Sequence, residues 1–204
     1  ATNQGVIVMN SPDGNTISAA EHTIAMMMAL SRNIQLGHMG IVNGEWNRSS
    51  LVGNELKGKT LGVVGLGRIG REVIKRAIGL EMKIMGYDPF VNQDVFDQDT
   101  VTLIDLDTLT QESDYITLHM PLLDSTTNLF NAERLCKMKS SARIINVARG
   151  GIINETDLAN ALNNDVIAGA AIDVFESEPL DITSPLAKAK NVLLTPHLGA
   201  STHE

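Results

Sequence analysis

Gly65-Leu66-Gly67-Arg68-Ile69-Gly70 carries the spacing GxGxxG, and an acid, Asp88, falls 18 residues beyond Gly70. Glycine in the first position permits a tight turn out of a strand, and in the second it removes the side chain where a pyrophosphate must meet backbone. In the third it lets a helix pack close to the strand it has just left. A helix opening near Arg68 would aim free N–H groups and its positive dipole end at such phosphates. Asp88 would accept hydrogen bonds from an adenosine ribose, and its charge would repel the additional phosphate that separates NADP from NAD. The chemistry is dinucleotide binding, with NAD favoured. A glycine-rich turn that binds nothing is the plainer alternative, and context argues against it. Leu61, Val63 and Val64 form a short strand-type run before the glycines. Ile69, Val73, Ala77 and Leu80 recur at helical spacing after them, and a second apolar run, Met82 to Met85, leads into Gly86-Tyr87-Asp88.

The rest of the chain supplies further elements. Gly5 to Met9 reads as a strand and Asn10 to Asn15 as a loop of turn residues. Ser18-Ala19-Ala20-Glu21 has the form of a capping box, opening a helix that runs to about Ile41. Ile24 to Leu30 leave that helix apolar nearly all round, so it is covered either by the core, with methionine filling gaps, or by a second copy of the chain. Glu45 to Lys59 is a polar connector. Beyond Asp88 the pattern predicts a helix over Leu103–Glu112, a strand over Tyr115–His119 and a helix near Ala132–Leu135. A strand over Arg143–Val147, a helix over Glu155–Asn163 and strands over Ile167–Val174 and Val192–Thr195 complete it. Strands alternating with helices specify an α/β fold with a doubly wound parallel sheet, Rossmann-like and preceded by a long helix. The expected organisation is one NAD-binding domain over residues 1–204, with 1–59 as entry and connector and 60–204 as the core.

Ligands of such sheets lie beyond the carboxyl ends of the strands. The residues just past each expected strand are Gly65–Gly70, Asp88, His119-Met120-Pro121, Val147-Ala148-Arg149-Gly150-Gly151, Asp173 to Pro179, and Pro196 to Ala200. An arginine, several acids and two histidines thus collect along one edge.

Taken in order, NSPDGNTISAAEHT, GLGRIGREV, GYDPF, HMPLLDSTTNLF, INVARGGIINETDL, AAIDVFESEP and TPHLGAST run from Asn10 to Thr202. In these segments the chain resembles the D-2-hydroxyacid dehydrogenases. The resemblance implies a catalytic set of three. Arg149 would grip the substrate carboxylate and carbonyl, a task suited to a planar fork of donors. His197 would be the general acid/base, and Glu178 its acidic partner. It also implies cofactor contacts from Gly65, Gly67, Arg68, Ile69 and Gly70 at the pyrophosphate, Asp88 at the ribose and Met120 on the adenosine side. Val147, Ala148 and Arg149 would line the nicotinamide side, Asp173 would hold the carboxamide, and His197, Leu198, Gly199 and Ala200 would close the far end. His119 is expected to support the adenosine pocket, whereas His22, His38 and His203 match no motif. The implied substrate is a small molecule, a phosphorylated 2-hydroxy acid, with other D-hydroxyacids as rivals. An NAD-sensing scaffold like the C-terminal-binding co-repressors is a second class sharing this pattern. Family members also carry segments before and after the matched stretch that build a substrate lobe, so that lobe is expected to be absent here. A two-fold homodimer through the helix at 18–41 is a further implication.

Composition narrows the field. A net charge of −8 opposes nucleic acid or an anionic membrane as the main partner, and 3% aromatic residues leave little for base stacking. No apolar run reaches membrane-spanning length. The single cysteine, Cys136, cannot form an internal disulfide and fits a reducing cytoplasm. No spacing of metal ligands is present.

Overall fold

The structure, a computed structural model, describes residues 4–7, 14–97 and 99–204. Its centre is a sheet of seven parallel strands in the order β3-β2-β1-β4-β5-β6-β7. These are β1 Thr60–Val64, β2 Lys83–Tyr87, β3 Val101–Leu103, β4 Tyr115–Leu118, β5 Arg143–Asn146, β6 Gly169–Ile172 and β7 Val192–Leu194. The helices are α1 Thr16–Ser31, α2 Ile34–Val42, α3 Arg68–Gly79, α4 Leu106–Glu112, α5 Ala132–Lys137 and α6 Glu155–Asn163. The order reverses between β1 and β4, as a doubly wound sheet requires, and there the carboxyl ends open a crevice.

Side chains alternate across the pleat, so each strand feeds two cores. Val64, Ile116, Leu118, Ile144 and Ile172 pack beneath α4, α5 and α6, against Leu109, Leu135, Leu158 and Leu162. Leu61, Val63, Tyr115, Ile145 and Ala171 face the other way, against Ala20, Met26, Met27 and Leu30 of α1 and Val73 and Ala77 of α3. Met27 has no exposed surface, and burying such a side chain is worth about 1.5–3 kcal/mol. Gly62 is required where α4 crosses β1, because a Cβ there would lie 2.6 Å from Leu109 Cδ2 and 2.3 Å from Ser113 Oγ.

Several expectations are corrected. The helix expected over 18–41 is two helices. The carbonyl of Ser31 accepts from Asn54 N–H at 2.8 Å, and Asn33 turns left-handed with φ 53°. Asn tolerates that conformation at modest cost, and the chain bends at the end of the polar run Ser31-Arg32-Asn33. The expected capping box is not one. The helix begins at Thr16 with Asn15 as N-cap, Ser18 Oγ donates back to Asn15 O at 3.1 Å, and Glu21 pairs with Arg76 of α3 at 3.0 Å. Of the expected strand at Gly5–Met9, residues 5–7 are not strand and 8–9 lie outside the described residues, as do Asn10 to Asp13 of the loop. Leu103 belongs to strand β3, which the sequence did not reveal, and α4 starts three residues later. His119, Val147, Asp173 and Thr195 lie past their strands rather than within them.

Candidate active site

The glycine turn has the steric demands its sequence implies. Gly65 has φ 97°, and a Cβ on it would lie 2.5 Å from His119 O. A Cβ on Gly70 would stand 2.2 Å from Gly65 O, so the first turn of α3 closes onto the turn only with glycine. A Cβ on Gly67 would meet no atom of the chain within 4 Å. The absent side chain there leaves a cradle at the mouth of α3, whose N-cap, Gly67, supplies no side-chain cap. Nothing in the chain requires glycine at 67, and the open space at an uncapped helix start would suit a phosphate. Asp88, past β2, accepts Leu66 N–H through Oδ2 and Phe90 N–H through Oδ1, both at 2.9 Å. It tethers the glycine turn while sitting on the wall of a cavity of about 330 Å³.

That cavity is walled by Gly65, Gly67, Asp88, Met120, Leu123 and Thr126, among others, and suits an adenosine. A second cavity of about 210 Å³ is lined by Ile69, Val147, Ala148, Arg149, His197, Gly199 and Ala200, together with Asn15, the N-cap of α1, and Ala19 of α1. His119, Met120 and Pro121 line both, so the two are ends of one trough across the sheet's carboxyl edge. His119 Nε2 lies 2.9 Å from Thr117 Oγ1. Burial pushes its imidazole down to about 3, so this wall is neutral.

The turn after β5 presents Arg149, and a buried amide shapes it. Asn146 Nδ2 donates to Arg149 O at 2.9 Å, and Ala148 N–H donates to Asn146 Oδ1 at 3.0 Å. One side chain thus fixes both ends of the turn while the guanidinium stays exposed. A Cβ on Gly150 would lie 1.9 Å from Phe175 O, so the loops after β5 and β6 interlock there.

His197 Nδ1 lies 2.7 Å from Glu178 Oε2, and Glu178 Oε1 accepts Phe175 N–H at 3.1 Å. The hydrogen bond to His197 is the largest influence holding the Glu178 carboxyl below its ordinary range, so at neutral pH it is an anion. With Nδ1–H donating to it, Nε2 of His197 keeps its lone pair and can take a proton. His197 divides the trough from a third cavity of about 600 Å³, lined by Phe175, Glu178, Pro179, Leu180 and Leu194. Asp173 has no exposed surface. It accepts Thr195 Oγ1–H at 2.5 Å and Leu198 N–H at 2.8 Å through Oδ1, and Gly199 N–H at 2.8 Å through Oδ2, so it ties down the strap that carries His197.

The expected residues therefore converge, with distinctions. Gly65, Gly67, Ile69, Asp88, Met120, Val147, Ala148, Arg149, His197, Gly199 and Ala200 line the trough. Arg68 is exposed and Gly70 buried, and neither lines it. The Leu198 side chain points to solvent, its amide committed to Asp173. Asp173 holds the strap from beneath instead of facing the trough. Asn15, Ala19, Asn146 and Thr126 were not singled out by sequence. Only the Asn146 position, one residue before a loop rich in site residues, carried any signal. His22, to which the sequence gave no role, lies 3.2 Å from Asp173. Among the described residues no group of three or more His, Cys, Asp and Glu could hold a metal ion, and no helix is long and apolar enough to cross a membrane.

Comparison with known proteins agrees with this geometry. The family described as "D-isomer specific 2-hydroxyacid dehydrogenase, NAD binding domain" matches residues 24–199. D-3-phosphoglycerate dehydrogenase of Synechocystis sp. is 54% identical over all 204 residues of this chain, which span 37% of that protein. The Bacillus subtilis enzyme of the same name is 48% identical over the same span, 39% of its length. The chain thus covers well under half of these relatives. Among solved structures, D-lactate dehydrogenase with NAD+ from Lactobacillus jensenii superposes with a TM-score of 0.84 and 32% identity, over 98% of this chain and 64% of that one. NAD-dependent formate dehydrogenase from Staphylococcus aureus in complex with NAD gives a TM-score of 0.86 and 35% identity, over 93% of this chain and 57% of that one. With the glycine turn, Asp88, Arg149 and His197 along one trough and Glu178 paired with that histidine, the chain belongs to the D-isomer specific 2-hydroxyacid dehydrogenases and is the NAD-binding domain of that family.

Proposed function

We propose that this domain serves an NAD-dependent oxidation of 3-phospho-D-glycerate to 3-phosphohydroxypyruvate, the opening step of serine biosynthesis. The observation that carries it is the 2.7 Å His197–Glu178 pair, whose histidine lines the same cavity as Arg149 and Ile69 of the glycine turn. The named phosphoglycerate relatives, 54% and 48% identical over the whole chain, support the substrate. Gly67, the start of α3 and Asp88 would hold the dinucleotide, and bound NAD supplies the hydride acceptor. His197 Nε2 takes the C2 hydroxyl proton as the C–H bond gives up its hydride, so alcohol becomes ketone with one proton and one hydride removed. Glu178 stabilises the imidazolium that forms, and Arg149 steadies the substrate carboxylate and the developing carbonyl. In the reductive direction the same proton returns from His197. The protein's part is orientation and electrostatics.

The substrate lobe is proposed to lie in the part of the relatives' length that this chain does not span. A homodimer belongs to the proposal too. The apolar face that supports it lies on α2, where Ile34, Leu36, Met39, Ile41 and Val42 are all exposed and no residue is buried. The exposed lone Cys136 suits a reducing setting, and a cytoplasmic location is proposed with it. The test is NADH formation by the full-length protein with a panel of D-hydroxyacids. Turnover of 3-phospho-D-glycerate well above D-lactate and D-glycerate is the expected result. A preference for another acid would reassign the substrate, and no turnover with any would favour an NAD-sensing scaffold.

A further inference from the structure

We propose that His22 of α1 positions His197, acting through Asp173 and Thr195; this rests on the acid/base reading of His197 above. His22 Nε2 lies 3.2 Å from Asp173 Oδ1 and 3.3 Å from Thr195 Oγ1, although 151 residues separate it from the aspartate. The proton assignment follows from the neighbours. Thr195 Oγ1 has one proton. It goes to Asp173 Oδ1 at 2.5 Å, a far stronger acceptor than Met26 Sδ at 3.5 Å. Both atoms facing His22 Nε2 are then acceptors, so Nε2 carries the proton and shares it between them.

The geometry gives that proton a task. Asp173 is wholly buried, and its two oxygens hold the amides of Leu198 and Gly199, the two residues that follow His197. His197 itself sits at φ 54°, a conformation its neighbours must impose, with its N–H donating to Asp173 O at 2.9 Å. A buried carboxylate without its full set of donors is free to turn toward others. His22 supplies the only donor to that carboxylate, among the described residues, from outside the strap region. It comes from the helix that also places Ala19, one turn earlier, in the wall of the trough. Glu21, next to it, fixes α1 to α3 through Arg76 at 3.0 Å. The helix, the trough wall and the acid/base strap are thereby held as one unit.

Nitrogen NMR and hydrogen exchange on this chain test the proposal without turnover. In the wild type His22 Nε2 should be protonated and the Leu198 and Gly199 amides protected. His22→Leu should speed exchange of those two amides at least tenfold, about 1.4 kcal/mol, while amides of β4 and β5 stay unchanged. His22→Gln, whose amide can donate from nearly the same point, should restore most of the protection. An unprotonated Nε2 in the wild type would overturn the proposal, and that measurement decides even if His22→Leu does not fold. So would unchanged exchange at 198 and 199 in His22→Leu, or a rise matched across the β4 and β5 amides, which would mark a merely structural role. Because no step depends on catalysis, an inactive full-length enzyme with this exchange pattern would sink the acid/base reading and leave the coupling standing.

Discussion

Gly67→Ala and Gly70→Ala place the same methyl group three residues apart, and the structure assigns them opposite consequences. At Gly67, backbone angles of φ −69° and ψ −167° are open to alanine, and its Cβ would touch nothing in the chain within 4 Å. Alanine is a poorer N-cap than glycine, so stability should fall by no more than about 1 kcal/mol. The methyl would occupy the cradle proposed for the pyrophosphate. Overpacking costs about 1–3 kcal/mol, which is roughly a 5- to 140-fold rise in the NAD dissociation constant at 1.4 kcal/mol per decade. At Gly70 the methyl would lie 2.2 Å from Gly65 O, a backbone atom that cannot swing aside. The same overpacking range now acts on folding, and for a chain of this size it lowers Tm by about 2–4 °C per kcal/mol. Calorimetric titration with NAD and thermal unfolding of both variants separate the two effects. Unaltered NAD affinity in Gly67→Ala would refute the phosphate cradle. A Gly67→Ala protein that melts as early as Gly70→Ala would refute the steric account.

Three further outcomes follow from the site and its surroundings. Asp88 is the acid proposed to face the ribose, and no lysine or arginine occurs among residues 89–98 to receive a further phosphate. NAD should therefore bind at least tenfold more tightly than NADP, about 1.4 kcal/mol, and Asp88→Ala should weaken NAD and narrow that gap; equal affinities in the wild type would refute this. The His119 imidazole sits at about 3, below its ordinary 6.5. The unfolded chain therefore binds this proton first, so the contribution of a neutral His119 to stability is intact above pH 6.5 and declines as pH falls from there toward 3. Denaturation across that window should show up to about 1.36 kcal/mol lost per pH unit from this group, absent in a folded His119→Gln protein; a slope unchanged by the substitution would contradict it. Ile41 is exposed on α2, so Ile41→Glu should convert a dimer to monomer in sedimentation while the monomer's own stability shifts by no more than about 0.5 kcal/mol. A wild-type chain that stays monomeric as concentration rises would remove the interface.

The parts of this site that the sequence exposed are those whose requirement is local. Gly65 and Gly70 are demanded by atoms within a few residues or one strand away, and a fixed spacing records that demand. Asp88, Arg149 and His197 each follow a strand whose apolar run is visible, so their shared edge could be anticipated. What stayed hidden depends on contacts across the fold. Val101–Leu103 is a three-residue strand behind an acidic turn, too short to leave a period. The bend at Asn33 goes with Asn54 N–H capping the Ser31 carbonyl from across the fold, and the apolar residues resume at Ile34, so the short polar run Ser31-Arg32-Asn33 did not read as a break. His22 and Asp173 meet only because α1 lies across the sheet face that ends in β6 and β7. Asn146 looks like the last residue of a strand until its amide is seen closing the turn before Arg149.

The central claim is that the trough passes a hydride from C2 of a hydroxyacid to a nicotinamide while His197 takes the proton. Full-length protein given 3-phospho-D-glycerate deuterated at C2 tests it in one measurement, the isotope content of the reduced cofactor. The account predicts that each NADH formed carries the deuterium on its nicotinamide ring. Protiated NADH with the label lost to water, or no reduced cofactor at all, would contradict it.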